Sequence, residues 1–320
     1  LDAQFVPEGG HLVADTENTD GVVIKDTLGY GVPNITGRIL NGKNVVVSTF
    51  KTNQMGIGKF LLLHDSSTSY AVEIDFRNRI QTFDLAVAEG QGINIILNQL
   101  ESKIALTFNT NASTLPLLKD KPYTLFIHNG SLSKTLPIQF ENEIKLIKSI
   151  GRKDLFAGIN IFTLFNENNE PISERVFFNY NGIERLNTTK PYIKKIQDSI
   201  AIQIPIAGVR LSETAQISLS ILPSETKSYN TNHNILSYTL LQPYVKGYIE
   251  NAKYYFTNVD IKKQYELDNL LLTQGWSSYD WTAVFNNPPK ALFKFETGLA
   301  FSANTRKKTE GKYILQASKN

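Results

Sequence analysis

Short runs of β-branched and aromatic residues, each cut off by Gly, Asn, Asp or Pro, recur along most of this chain, and that rhythm permits few folds. The runs include Gly21–Ile24, Asn44–Lys51, Gly58–Leu63, Tyr70–Ile74, Ile93–Leu97, Ile104–Phe108, Tyr123–His128 and Ile144–Ser149. Gly158–Phe165, Ser173–Tyr180, Ser199–Ile206 and Gln216–Leu222 follow. Each has the length of a strand, and no helical pattern alternates with them, which argues against α/β enzyme folds. Alternation is plain in Ala71–Phe76, where Val72, Ile74 and Phe76 should share one buried face. Asn41–Gly42 suits a tight hairpin and Asn166–Pro171 a longer one. The fold class expected is all-β: tandem immunoglobulin-like β-sandwiches, with a short helical segment near the C-terminus.

At roughly 100–200 residues per domain, 320 residues hold two or three domains. Turn spacing places a β-sandwich at 1–83, a second at 84–180, and a third sandwich-like module at 181–250. Residues 251–290 read as a helical and aromatic linker, and 291–320 as the start of a further, truncated β-domain. Within the linker, Lys262–Gly275 is the helix candidate, with Gly275 as its stop. Leu267, Leu270, Leu271 and Leu272 fall on more than one of its faces, so it should be packed on two sides, wedged between β domains. Pro288–Pro289 reads as a stiff boundary. Because it opens on Leu1, the chain reads as an excised piece of something longer.

Composition removes whole classes of chemistry. With no cysteine, disulfide scaffolds, Cys-ligated zinc, Fe–S clusters, thiol nucleophiles and thioesters are excluded. A net charge of +3 with no basic stripe gives no field for nucleic acid. No stretch is long and apolar enough to span a membrane as a helix, and no signal peptide is visible.

Five ordered segments carry a family resemblance. Phe5–Val6–Pro7–Glu8–Gly9–Gly10–His11–Leu12–Val13 is similar to an "FFPEGG-x-LV" opening, and Thr52–Phe60 to a "TN-x-x-G-x-G-x-F" turn. Gly158–Phe165 with Pro171–Phe177 looks like "G-x-x-x-x-T-L-F…P-x-x-E-R-x-x-F". Gly247–Phe256 matches "G-x-I-E-N-x-x-Y-Y-F", and Leu267–Trp276 matches "L-D-x-L-L-L-T-Q-G-W". The chain thus resembles the macroglobulin-like (MG2-type) domains of large cell-surface proteins of Bacteroidota. One departure is that Ser277–Ser278 follow Trp276, where such proteins usually carry basic residues. The resemblance implies a cell-envelope location, periplasmic or at the surface. It often also implies a carboxypeptidase-regulatory-like domain and a TonB-dependent receptor plug further along. Its expected partners are a protein or polymeric ligand at the cell surface and an outer-membrane transporter, with no nucleic acid. The expected function is a non-enzymatic scaffold or binding module. Alternatives are an adhesin or carbohydrate-binding ectodomain, or a noncovalent protease-binding protein with Ser224–Asn234 as its bait segment.

Candidate sites are sparse, and none is catalytic, metal-binding or cofactor-binding. His11, His64, His128 and His233 are scattered, without H-E-x-x-H or a Ser in G-x-S-x-G. Gly56–Gly58 and Gly90–Gly92 do not complete a dinucleotide fingerprint and read as turns. Asp15, Glu17 and Asp20 miss the alternation of a calcium loop and read first as solvated carboxylates, with a Ca²⁺ site as the alternative. Pro7–Gly10 reads as a turn in which Glu8 bonds local backbone amides. Glu174 and Arg175, neighbours on a strand, face opposite ways. Two readings stand: one of them is buried between domains and paired with a third residue, fixing orientation, or both lie at the surface. Trp276, Tyr279 and Trp281 form the densest aromatic cluster: the partner-binding candidates if exposed, packing residues if buried.

Overall fold

A computed structural model describes residues 1–184, 187–207, 221–223, 225–227, 232–275, 277–288, 290 and 293. The expected strand Gln216–Leu222, Trp276, Pro289 and the module at 291–320 lie wholly or largely outside the described residues, as do Ser224 and residues 228–231 of the bait segment. The chain divides into a unit Leu1–Tyr279 and a unit Asp280–Asn320.

The first unit opens with seven strands: β1 (Asp2–Pro7), β2 (Glu17–Lys25), β3 (Thr36–Asn41), β4 (Val46–Lys51), β5 (Ile57–Leu63), β6 (Tyr70–Phe76) and β7 (Arg79–Asp84). They form one antiparallel sheet β1-β2-β5 and another β4-β3-β6-β7. Seven more follow: β8 (Asn94–Gln99), β9 (Lys103–Asn109), β10 (Tyr123–His128), β11 (Ser133–Ile138), β12 (Lys145–Gly151), β13 (Gly158–Phe165) and β14 (Pro171–Asn179). Their sheets, β12-β9-β8 and β11-β10-β13-β14, repeat the same three-plus-four connectivity. Both sets are therefore immunoglobulin-like sandwiches, and the chain is an all-β tandem. A one-turn helix α1 (Leu115–Leu118) lies between β9 and β10.

Each sandwich has its own apolar centre. Val22, Ile24, Ile39, Phe50, Phe60, Val72 and Ile74 fill the first, drawn from both sheets. Ile95, Leu97, Leu106, Phe108, Leu125, Ile127, Phe162, Leu164 and Phe177 fill the second. Val72 and Ile74 are buried as their alternation requires, whereas Phe76, at the end of β6, is only half-buried.

After β14 the described residues form two short ladders, Tyr192–Ile196 with Ser199–Gln203 and Asn187–Thr188 with Ile206–Ala207. A 3₁₀ turn at Ala252–Phe256 then leads into helix α2 (Ile261–Gln274). Asp260 caps α2 by accepting the Lys263 amide at 2.8 Å. At its other end Gly275 stops the helix, but not by left-handed backbone, since its φ is −66°. Glycine is needed because a Cβ would sit 2.2 Å from the Leu271 carbonyl oxygen. In the second unit, α3 (Trp281–Asn286) is capped by Asp280, and Trp281 stacks with Phe285 at 5.9 Å.

Candidate functional site

Residues from all five of the motif-bearing segments meet at the junction of the two sandwiches. Pro7 ends β1 with φ −66°, and Gly9 and Gly10 follow at φ 76° and 93°. The turn Glu8–Gly10 lies between β8 and β14, the edge strands on the open side of the second sandwich. Its fit is close: a Cβ on Gly9 would lie 2.4 Å from Ser173 Oγ, and that hydroxyl instead donates to the Gly9 carbonyl at 2.7 Å. Unpaired strand edges invite non-native pairing, and here the other sandwich covers them.

Glu8 enters the gap. Its Oε1 accepts from the Leu97 amide at 3.1 Å and from Arg175 Nε at 2.8 Å. The amide it binds belongs to the neighbouring sandwich, not to its own turn as the sequence suggested. Arg175 Nη2 donates to Asp268 Oδ1 on α2 at 2.7 Å, and Nη1 donates to the Val176 carbonyl. Asp268 Oδ2 also faces Lys59 Nζ of β5 at 3.5 Å. The Glu8, Arg175 and Asp268 side chains are no more than 2% exposed. Burial works against the charge on Arg175, but Asp268 and then Glu8 outweigh it and hold the guanidinium ionised, its pKa raised. Two cations and two carboxylates balance, so the junction carries no net charge.

This is the buried partner that the Glu174–Arg175 dipeptide implied. Arg175 is the interior member; Glu174 points the other way and accepts from Thr163 Oγ1 at 3.0 Å. Sequence reasoning did not identify Asp268 as its partner, because nothing local links a helix residue to a strand so far upstream.

An apolar layer lies beside the charges. Leu267, Leu270 and Leu271 of α2 pack with Met55 and Ile57 of the first sandwich and Ile159, Ile161, Val176 and Phe178 of the second. Tyr255, Phe256, Ile249, Val245 and Leu241 complete that cluster. The helix is wedged between the sandwiches, as its many-faced leucines implied. It presses on β2 at Gly21, where a Cβ would lie 2.2 Å from Leu272 and 2.5 Å from Thr273. Glu250 of the Gly247–Asn251 motif accepts the Gly31 amide at 3.0 Å.

A second, uncharged seam joins the sandwiches further along. Asn94 Nδ2 donates to Asn18 Oδ1 at 2.6 Å and to the Glu17 carbonyl at 2.8 Å. Asn111 Nδ2 donates to the Ala14 carbonyl at 3.0 Å, and Ala14 and Glu89 pair through their backbones at 2.9 Å.

The other candidates do not assemble. Asp15 accepts the Ser66 amide, Glu17 pairs with Lys145 at 3.0 Å, and Asp20 is buried alone, its pKa raised by desolvation to about 7. Among the described residues no three His, Asp or Glu side chains gather as a metal site. His11 meets Glu89 at 2.7 Å, His233 meets Ser237 Oγ at 3.2 Å, His64 lies edge-on to Tyr70, and His128 lies edge-on to Tyr279 at 4.9 Å. Tyr279 is 39% exposed, so of the aromatic trio it offers surface in the first unit.

No family model matches the sequence, and no curated protein matches it. Among solved structures, the Yersinia pseudotuberculosis adhesin InvE aligns over 60% of this chain and 68% of its own, at 10% identity and a TM-score of 0.19. The native conformation of E. coli alpha-2-macroglobulin aligns over 63% of this chain at 14% identity and a TM-score of 0.22; the match spans only 16% of that protein. The chicken interferon gamma receptor alpha chain aligns over 54% of this chain and 97% of its own, at 7% identity and a TM-score of 0.21. Likenesses this weak carry no functional argument.

Proposed function

We propose that this chain is a rigid, non-enzymatic segment of a cell-envelope protein, which holds binding surfaces at a fixed spacing and angle for capture of a protein or polymeric ligand. The observation that carries the reading is the Glu8–Arg175–Asp268 junction. A buried ion pair adds little net stability but penalises every arrangement that leaves one member unpaired, so it favours a single geometry between the sandwiches. The five segments that resemble macroglobulin-like cell-surface proteins all contribute to this junction, which supports reading them as a shared way of fixing orientation. The same resemblance supports an outer-membrane context beside a TonB-dependent transporter.

Because the chain has no cysteine, two introduced thiols can be labelled cleanly. Spin labels at Lys43→Cys and Glu143→Cys, one exposed site on each sandwich, should give one narrow distance distribution by pulsed electron resonance. Arg175→Met should broaden it. A broad distribution in the otherwise unaltered chain would remove the rigid-spacer reading. Fractionation of cells making the parent protein tests its placement: recovery in the cytosol would overturn the envelope assignment.

A further inference from the structure

A cleft of about 710 Å³ opens at one end of the β12-β9-β8 sheet. Four separate segments converge on it: the turn Glu101–Ser102, the end of β12 with Arg152 and Lys153, Tyr180–Asn181 after β14, and Gln264 of α2. Its size falls in the range of clefts that hold small ligands.

The lining is unusual in what it offers. Arg152 is half-buried and held from behind: Nε donates to the Leu100 carbonyl at 3.2 Å, and Nη2 donates to Gln99 Oε1 at 3.1 Å. Its guanidinium lies 5.7 Å from the Phe177 ring. Nη1 has no protein partner among the described residues, so a fixed cation presents free donors. Lys103 and Lys153 stand exposed at the rim, against the single carboxylate Glu101. The hydroxyls of Ser102 and Ser149 and the side-chain amides of Asn181 and Gln264 are likewise unengaged by protein. Tyr180 is the one aromatic in the lining.

Hydroxyls and amides that both donate and accept, grouped round cations, suit a hydroxyl-rich anion. A protein partner would want a cluster of aromatic or aliphatic anchors, and here Tyr180 stands alone among polar and charged side chains. We propose that the cleft binds an acidic saccharide, one bearing carboxylate or sulfate, with Arg152 seating the acidic group and Lys103 and Lys153 drawing it in. The proposal goes beyond the spacer reading and does not depend on it, because no residue of the Glu8–Arg175–Asp268 junction lines the cleft.

Isothermal calorimetry on the whole chain, at low and at physiological salt, tests it with four probes: tetragalacturonate, a heparin-derived tetrasaccharide, neutral maltotetraose and octaglutamate. At least one acidic saccharide should bind 10-fold or more tighter than both maltotetraose and octaglutamate, and which one binds separates carboxylate from sulfate. Added salt should weaken binding. Lys103→Glu with Lys153→Glu should lower that affinity at least 10-fold without moving the melting midpoint, since both side chains are exposed. Arg152→Gln should abolish binding. Absence of binding by both acidic saccharides, equal binding of octaglutamate, or unchanged affinity in the lysine variant would each overturn the assignment.

Discussion

The two sandwiches share a strand order yet differ in what lies outside their four-stranded sheets. In the first, β6 alternates, and its outward residues meet water; there Glu73 pairs with Arg38 at 2.8 Å, with half of the Arg38 side chain exposed. In the second, every residue of β13 is buried, because Ile159 and Ile161 face the apolar layer that also holds the helix leucines while Phe162 and Leu164 face the core. Identical connectivity therefore carries different duties: one sheet closes a domain, the other closes a domain and also forms half of an interface. The distinction is written in the pattern, since a half-solvated strand alternates and a doubly covered one reads as a continuous apolar run.

Four measurements would break or sharpen this contrast. The largest effect should come from Arg175→Met, which leaves Glu8 without a cation and Asp268 with Lys59 alone, and should cost about 3–5 kcal/mol in denaturant unfolding. Replacing all three members with Gln, Met and Leu should recover most of that loss. A single variant within 1 kcal/mol of the parent, on the order of a surface pair, would mean that the junction is not sealed from water.

Next, Ile161→Ala on the covered face of β13 should cost about 2–5 kcal/mol, against less than about 0.5 kcal/mol for Arg38→Ala on the open face of the first sandwich. Equal losses would erase the distinction between the two sheets.

A third test looks inside the first sandwich, at Asp20, whose buried Oδ2 has no hydrogen-bond partner among the described residues. Its pKa is raised from 3.8 to about 7 by desolvation, so the folded state holds a proton that the unfolded chain releases. Stability from this group is full below pH 3.8 and falls as pH rises to about 7. The expected drop is on the order of 2–3 kcal/mol after allowing for relaxation around the charge. His64, its pKa lowered by burial, contributes the opposite slope near its ordinary value. Asp20→Asn should remove only the falling component, so the difference between the two pH profiles isolates it. Parallel profiles would show that Asp20 stays solvated.

The smallest effect belongs to Glu17 and Lys145, which bridge the sandwiches with about half of each side chain exposed. A double-mutant cycle should return about 0–1 kcal/mol, weakening with salt. A larger coupling would make the polar seam a second lock.

Much of this architecture was legible. The strands came through as turn-bounded runs, though β1, β3, β7 and β11 did not: Thr36–Asn41 and Ser133–Ile138 mix polar and apolar residues too evenly to stand out. The wedged helix was legible because leucines on several faces leave no side for water. The junction was half legible. A charged pair inside an apolar strand signals one buried member, but choosing Glu8 and Asp268 as partners requires tertiary geometry that no spacing encodes. The cleft was illegible for the same reason: Arg152 is an ordinary turn residue until α2 and the end of β14 are brought beside it.

The position of α2 has a consequence for how the chain comes into being. During synthesis or export the N-terminal residues emerge first, and both sandwiches can complete their strand ladders while Asp268 is still to come. Through that interval Arg175 faces Glu8 alone, and the outer face of β13 and β14 lacks the leucines of α2. Emergence of the helix would then act as a latch, adding Asp268 and its leucines to a polar seam that already joins the two domains. A chain shortened ahead of α2 would keep its sandwiches yet expose a sticky sheet, inviting foreign strands or helices to take the missing segment's place.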